Sequence, residues 1–86
     1  MDKRILELRE KIDKLDEKII QLLKERMEIS KTVGMLKEKL DIPIEDEVRE
    51  KEIIERLTHH AGQSLSEKQL IRIFTAVFKS SKQIQS

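Results

Sequence analysis

Arg26 occupies a position where the sequence repeat requires an apolar side chain. Apolar residues step by three and four through Ile5, Leu8, Ile12, Leu15, Ile19 and Leu22, then resume through Ile29, Val33, Leu36 and Leu40. That is the 3.5-residue period of a long amphipathic helix with a narrow, coiled-coil-like seam. A guanidinium does not give up its proton, so on such a seam it demands an anion, and no neighbour on the same helix obviously supplies one. Lys37 follows about three turns later, roughly 16 Å along the axis. Two long side chains can converge across that gap on one small molecule. Arg9 also borders the seam, but it stands about 25 Å from Arg26 and more than about 40 Å from Lys37. It joins them only if a second, antiparallel copy of the chain carries it in.

Two further clusters share this chemistry. Asp46, Arg49 and Glu50 follow one another at i, i+3 and i+4, hence on one face near a helix start. Ser81 and Gln85 lie at i and i+4, both uncharged hydrogen-bonding groups, and Ser81 falls where the seam Leu70, Phe74, Val77 requires an apolar residue. If these meet, Arg26, Lys37, Arg49 and the second copy's Arg9 face Asp46 and Glu50, a surplus of about two positive charges. That surplus suits a small dianion, and arginine is the residue expected for bidentate carboxylate recognition.

The elements that must position these groups are helices. The first is expected from near Asp2 to about Leu40, with Gly34 tolerated inside it at about 1 kcal/mol relative to Ala. Pro43 ends it, because Ile42 before a proline is pushed out of the α region. Asp41 to Asp46 is a loop, and Asp46 either caps the second helix or lies in its first turn. That helix carries Val48, Ile53, Ile54, Leu57 and Ala61 and stops at Gly62. A third opens with a capping box, Ser64 with Glu67 or Ser66 with Gln69, and carries Leu70, Ile71, Ile73, Phe74, Val77 and Phe78. The polar tail Lys79 to Ser86 is expected to fray. From Ile5 to Leu40 the first helix spans roughly 54 Å, whereas a compact chain of this size has a radius of gyration of about 12 Å. The helix must overhang, and a second copy is the expected cover for its seam. The fold expected is therefore all-α: three helices, one very long, in an intertwined homodimeric bundle.

Composition narrows the class. The 86 residues make a single domain, 1–86, small enough that oligomerisation is an expected source of stability. There is no cysteine, which removes disulfides and thiolate metal sites and fits a reducing compartment. The amino terminus lacks a signal-peptide core and no run reaches membrane-spanning length, so a cytoplasmic protein without a membrane partner is expected. The formal charge of +1 and only two aromatics, Phe74 and Phe78, argue against nucleic acid. His59 and His60 are adjacent, about 100° apart on a helix, a poor metal pair. Neither a metal nor a cofactor is expected, and Asp13, Asp16, Glu25 and Glu28 read as surface or packing charges.

Taken singly, Arg9, Lys37, Arg49 and Glu50 are ordinary solvated charges, and Arg26 alone reads equally well as a register device in a coiled coil. Their order and spacing together are specific. The runs Leu8-Arg9-Glu10-Lys11-Ile12, Leu15-Asp16, Leu22-Leu23-Lys24-Glu25-Arg26, Val33-Gly34-Met35-Leu36-Lys37 and Pro43-Ile44-Glu45-Asp46-Glu47-Val48-Arg49-Glu50, with Ser81 and Gln85, resemble the all-helical class of chorismate mutases. The resemblance covers essentially the whole chain. It implies an intertwined three-helix dimer with two equivalent sites that converts chorismate to prephenate on the route to phenylalanine and tyrosine.

By that resemblance, Arg26 and the second copy's Arg9 grip the two carboxylates of chorismate, with Ser81 and Arg49 in support. Lys37 and Gln85 are similar in position to the family's pair of donors to the ether oxygen. Glu50 accepts from the ring hydroxyl, and Asp46 orders the loop or meets the same hydroxyl. The chain stops one residue after Gln85, which puts this donor on a fraying terminus or on a domain cut from a longer protein. A neutral Gln85 needs no proton to donate, so activity without an acidic optimum is expected. Two relatives in function remain open: an isochorismate pyruvate lyase of the same fold, and a chorismate- or prephenate-binding regulatory domain of a fused or associated synthase. A purely structural bundle would instead gain stability on Arg26→Ala.

Overall fold

The computed structural model describes all 86 residues, and every regular element is a helix: α1 (Lys3–Lys39), α2 (Glu47–Ala61) and α3 (Glu67–Gln85). Asp2 caps α1, its carboxylate accepting from the Arg4 amide at 2.8 Å. At the other end Asp41 takes a left-handed φ of 55°, and the Ile42 amide donates back to the Lys37 carbonyl at 2.8 Å. This six-to-one bond around a left-handed residue is a Schellman stop, with aspartate among the few non-glycine residues that tolerate it. Pro43 therefore lies beyond the stop rather than making it. The reversal brings the following loop back over the last turn of α1.

Asp46 caps α2 by accepting from the Arg49 amide at 3.0 Å, and Gly62, at φ 60°, ends the helix. Of the two capping boxes open for α3, Ser66 with Gln69 forms: the Gln69 amide donates to Ser66 Oγ at 3.1 Å and the Ser66 amide to Gln69 Oε1 at 2.8 Å. The tail does not fray. α3 runs to Gln85 because Ser81 is buried and the helix end lies on α1.

The third helix organises the chain. It packs on both α1 and α2, which make no close backbone approach to each other. Ile53, Leu70 and Phe78 are the buried apolar residues, a small core for a chain of this length. Where α3 meets α1 the buried residues are Ser30, Gly34 and Ser81. A Cβ on Gly34 would lie 2.7 Å from the Gln85 Cα, so glycine sets how closely the two helices approach. Its cost to the helix is offset by contact, a role its sequence context did not reveal.

Most of the apolar seam of α1 stays outside this packing. Every residue from 1 to 22 is exposed, and Ile5, Leu8, Ile12, Leu15, Ile19 and Leu22 each keep between 46 and 63% of their surface. Further along, Ile29 keeps 67% and Leu36 53%. The molecule extends 56 Å in its long direction with a radius of gyration of 16.4 Å, well above the roughly 12 Å of a compact chain. The overhang expected from length alone is present.

Candidate active site

α1, α2, α3 and the loop before α2 enclose a cleft of about 300 Å³. Arg26, Ser30 and Lys37 reach it from α1, Asp46, Arg49 and Glu50 from the start of α2, and Ser81, Lys82 and Gln85 from α3, with Ile29, Val33, Ile44, Ile53 and Phe78 as its apolar wall. The arrangement follows from spacing. Positions 26, 30, 33 and 37 return to one side of α1 every three or four residues, and 78, 81, 82 and 85 do the same on α3.

Arg26 is half-buried and makes no ion pair. Its Nη1 donates to Ser81 Oγ at 2.7 Å, and its guanidinium carbon lies 5.9 Å from the centre of the Phe78 ring, within reach of a cation–π contact. Ser30 Oγ donates to the same Ser81 oxygen at 3.4 Å. Burial, and then the neighbouring Arg49 charge, push the Arg26 pKa down. Both effects oppose the cation, and an incoming anion would relieve both. Lys37 also lacks a carboxylate, its Nζ donating instead to the Ile44 carbonyl at 3.1 Å. The other two cations are engaged. Arg49 lies 3.7 Å from Glu52 and is more than half exposed, while Lys82 pairs with Glu45 at 3.1 Å and Glu50 at 3.4 Å. The bond to Glu45 chiefly raises the Lys82 pKa. Gln85 ends the cleft with its Oε1 buried and without a hydrogen-bond partner.

Seven of the eight residues singled out by their types and spacing thus line one cleft: Arg26, Lys37, Asp46, Arg49, Glu50, Ser81 and Gln85. Arg9 is not among them. It is exposed on the overhanging part of α1, away from its own chain's cleft. Asp46 has its carboxylate turned to the α2 amide, so within this chain it orders the loop.

Residues 8–86 match the profile of the family described as chorismate mutase type II. A chorismate mutase of Methanocaldococcus jannaschii is 36% identical over 90 residues, covering 99% of this chain and 87% of that protein. A crystal structure of chorismate mutase from Helicobacter pylori in complex with prephenate superposes with a TM-score of 0.90 at 34% identity, covering 98% of this chain and 91% of that one. The chain belongs to the chorismate mutase type II family. It also matches the bifunctional chorismate mutase/prephenate dehydratase of Escherichia coli at 38% identity over 78 residues, 90% of this chain but 20% of that protein.

In this type II chorismate mutase chain, the cleft contains residues that the sequence pattern did not single out. Ser30 carried a faint signal, a small hydroxyl residue one turn beyond Arg26. Lys82 carried none, since nothing in a polar tail distinguishes one lysine from another. Its place depends on the loop turning back at Asp41 to bring Glu45 within reach.

Proposed function

We propose that this cleft binds chorismate and holds it for rearrangement to prephenate. The observation that carries the proposal is that two of the four cleft cations, Arg26 and Lys37, have no carboxylate partner. Two unsatisfied cations across about 300 Å³ match a compact diacid better than a neutral or cationic ligand.

The reaction is unimolecular. The ether C–O bond breaks as a C–C bond forms, no group leaves, and no proton need move. Catalysis then rests on holding the enolpyruvyl side chain over the ring and on stabilising charge that builds on the ether oxygen. Arg26 grips one carboxylate, held in place by Ser81, with Arg49 adding positive potential. Lys37 leaves the Ile44 carbonyl to donate to the ether oxygen, where a charged donor gains strength as negative charge develops in a dry site. Gln85 is the second donor. The donor is its Nε2 amide group, which has no hydrogen bond within the chain to give up, while its buried Oε1 can only accept. Glu50 accepts from the ring hydroxyl, and Asp46 keeps the loop in register.

A second copy of the chain completes the site, with Arg9 entering from its overhanging helix to meet the other carboxylate. The exposed seam supports this intertwined dimer. The chain exposes 7598 Å², whereas a compact monomer of its mass exposes about 5,300 Å². The surplus is of the size that obligate homodimers bury. No helix is long and apolar enough to cross a membrane, and residues 1–86 act as one domain in aromatic amino acid biosynthesis in the cytoplasm.

The test is loss of chorismate's absorbance on adding purified protein, with prephenate identified as the product. Release of pyruvate from isochorismate without prephenate, or binding of chorismate without turnover, would overturn the proposal. The shared site has its own test. Refolding Arg9→Ala and Arg26→Ala chains together should restore one intact cleft per mixed dimer, and no recovery would refute the contribution of Arg9 from the second copy.

A further inference from the structure

Lys82 is the only cleft residue whose side chain ties two carboxylates from different segments. Its Nζ lies 3.1 and 3.3 Å from the two carboxylate oxygens of Glu45, in the loop, and 3.4 Å from Oε2 of Glu50, in the first turn of α2. On the opposite flank, Lys37 of α1 donates to the Ile44 carbonyl of the same loop. Because α1 and α2 make no close backbone approach, the lip of the cleft at residues 44–46 hangs between two lysines, one from each flanking helix. Lys37 is the one the proposed reaction draws away, so Lys82 is the tie that remains.

The chemistry makes that tie useful. Glu50 shares a small cleft with Arg26 and Lys37, both of which lack a carboxylate partner. A carboxylate free to swing toward either would neutralise a charge the substrate needs. Glu45 stands at the same lip, where a second bare carboxylate would repel an incoming dianion. One ammonium between them holds both away.

We propose that Lys82 is a positioning residue. It fixes the Glu50 carboxylate where it can accept from the substrate's hydroxyl, and it holds the lip through Glu45 after Lys37 has turned to the substrate. The inference rests on the reading of the cleft as a chorismate site.

Lys82→Met should lower kcat on the order of three- to tenfold, the scale of a part-exposed ion pair, and Lys82→Arg should restore most of it. Two comparisons separate positioning from charge balance and from folding. Lys82→Met combined with Glu45→Gln has the wild-type net charge, yet should keep the low kcat because Glu50 is still untethered. In a Glu50→Gln background, Lys82→Met should lower kcat by less than it does in the wild type, because only the tie to Glu45 is left to lose. Recovery of wild-type kcat in the isocharge double variant would overturn the inference, as would undiminished kcat in Lys82→Met. So would an equal loss with and without Glu50. A wild-type protein inactive on chorismate would instead overturn the reading of the cleft, so the two failures are distinguishable.

Discussion

Two stripes run side by side along the second half of α1, and they differ in composition and in fate. One is the apolar seam, Ile29, Val33, Leu36 and Leu40, a continuation of the run from Ile5, and it stays largely exposed. The other, Leu23, Arg26, Met27, Ser30, Gly34 and Lys37, holds two apolar side chains among small and charged ones, and it is the more buried stripe, lying against α3, while Ile29 and Val33 of the seam reach only the cleft wall. The chain covers its less apolar face with its own third helix and leaves the more apolar one open. Burial of apolar area, at about 25 cal/mol per Å², would favour the opposite choice in a protein that works alone. In the proposed dimer the seam is kept for another chain, while Ser30 and Gly34 let α3 come close enough to wall a cleft.

Charging the seam is the most damaging way to test this division. Ile12→Glu with Ile19→Glu removes no buried side chain from its own chain, since both residues are exposed, yet should abolish activity and the dimer together. Sedimentation should show the wild type as a dimer whose melting temperature rises with protein concentration. A double variant that is still folded, dimeric and active would show that the seam is not the interface.

Next in size is Arg26→Ala, at the boundary between the stripes. Losing a half-buried charged donor to a carboxylate should cost roughly 2–5 kcal/mol in kcat/KM, measured by steady-state kinetics on chorismate. The melting temperature should hold or rise, because the removed guanidinium is desolvated, lies beside Arg49 and has no anionic partner to orphan. A gain in stability with kcat/KM unchanged would make Arg26 a structural residue.

These two experiments address what the sequence made legible. The seam, its interruption at Arg26, a start near Asp2, the alternatives at Asp46 and at Ser64 or Ser66, and a break near Leu40 are periodic or local, and local rules read that much of them. The inner stripe was not legible, because Ser30 and Gly34 carry no apolar excess to mark a packing face. Gly34 therefore read as a tolerated cost, and Ser81 and Gln85, though they stand out as hydrogen-bonding groups, lie on a tail expected to fray, when the contact between Gly34 and Gln85 holds the end of α3. Lys82 was hidden for another reason. Its partners are fixed by a left-handed aspartate whose conformation no pattern announces. Arg9 lies at the remaining limit, since the trans role proposed for it would leave no trace within its own chain's cleft.

Gly34→Ala tests the inner stripe directly, with a smaller expected effect. Alanine gains up to about 1 kcal/mol of helix propensity, but its Cβ would meet the Gln85 backbone at 2.7 Å, and overpacking of this kind costs about 1–3 kcal/mol. The clash should win, since the obstacle is backbone rather than a flexible tip. Stability should fall modestly and kcat about tenfold as Gln85 is pushed from the cleft. Met35→Ala, one residue along on an exposed position, should leave both unchanged. A fully active Gly34→Ala protein would mean that the end of α3 need not lie where it does.

The smallest effect concerns the free end of α1, where the seam begins. Asp2 is exposed, and its pKa is held below the ordinary 3.8 by the Arg4 guanidinium and then by the Arg4 amide. Because the folded value is the lower one, its contribution is complete above the unfolded pKa and is lost as pH falls through the folded pKa. Protection factors of the amides at residues 4–6, the exchange rates divided out by their intrinsic pH dependence, should therefore fall in acid below pH of about 4, and Asp2→Asn, which keeps a capping oxygen but no charge, should remove that dependence. In an isolated chain the cap would be the main restraint on this turn, so exchange there should be fast at every pH. If the partner helix covers the seam, amides beyond the first turn should stay protected in acid while the first turn alone responds. Uniform acid-induced exchange along Ile5 to Leu22 would show that the long arm has no partner to lie against.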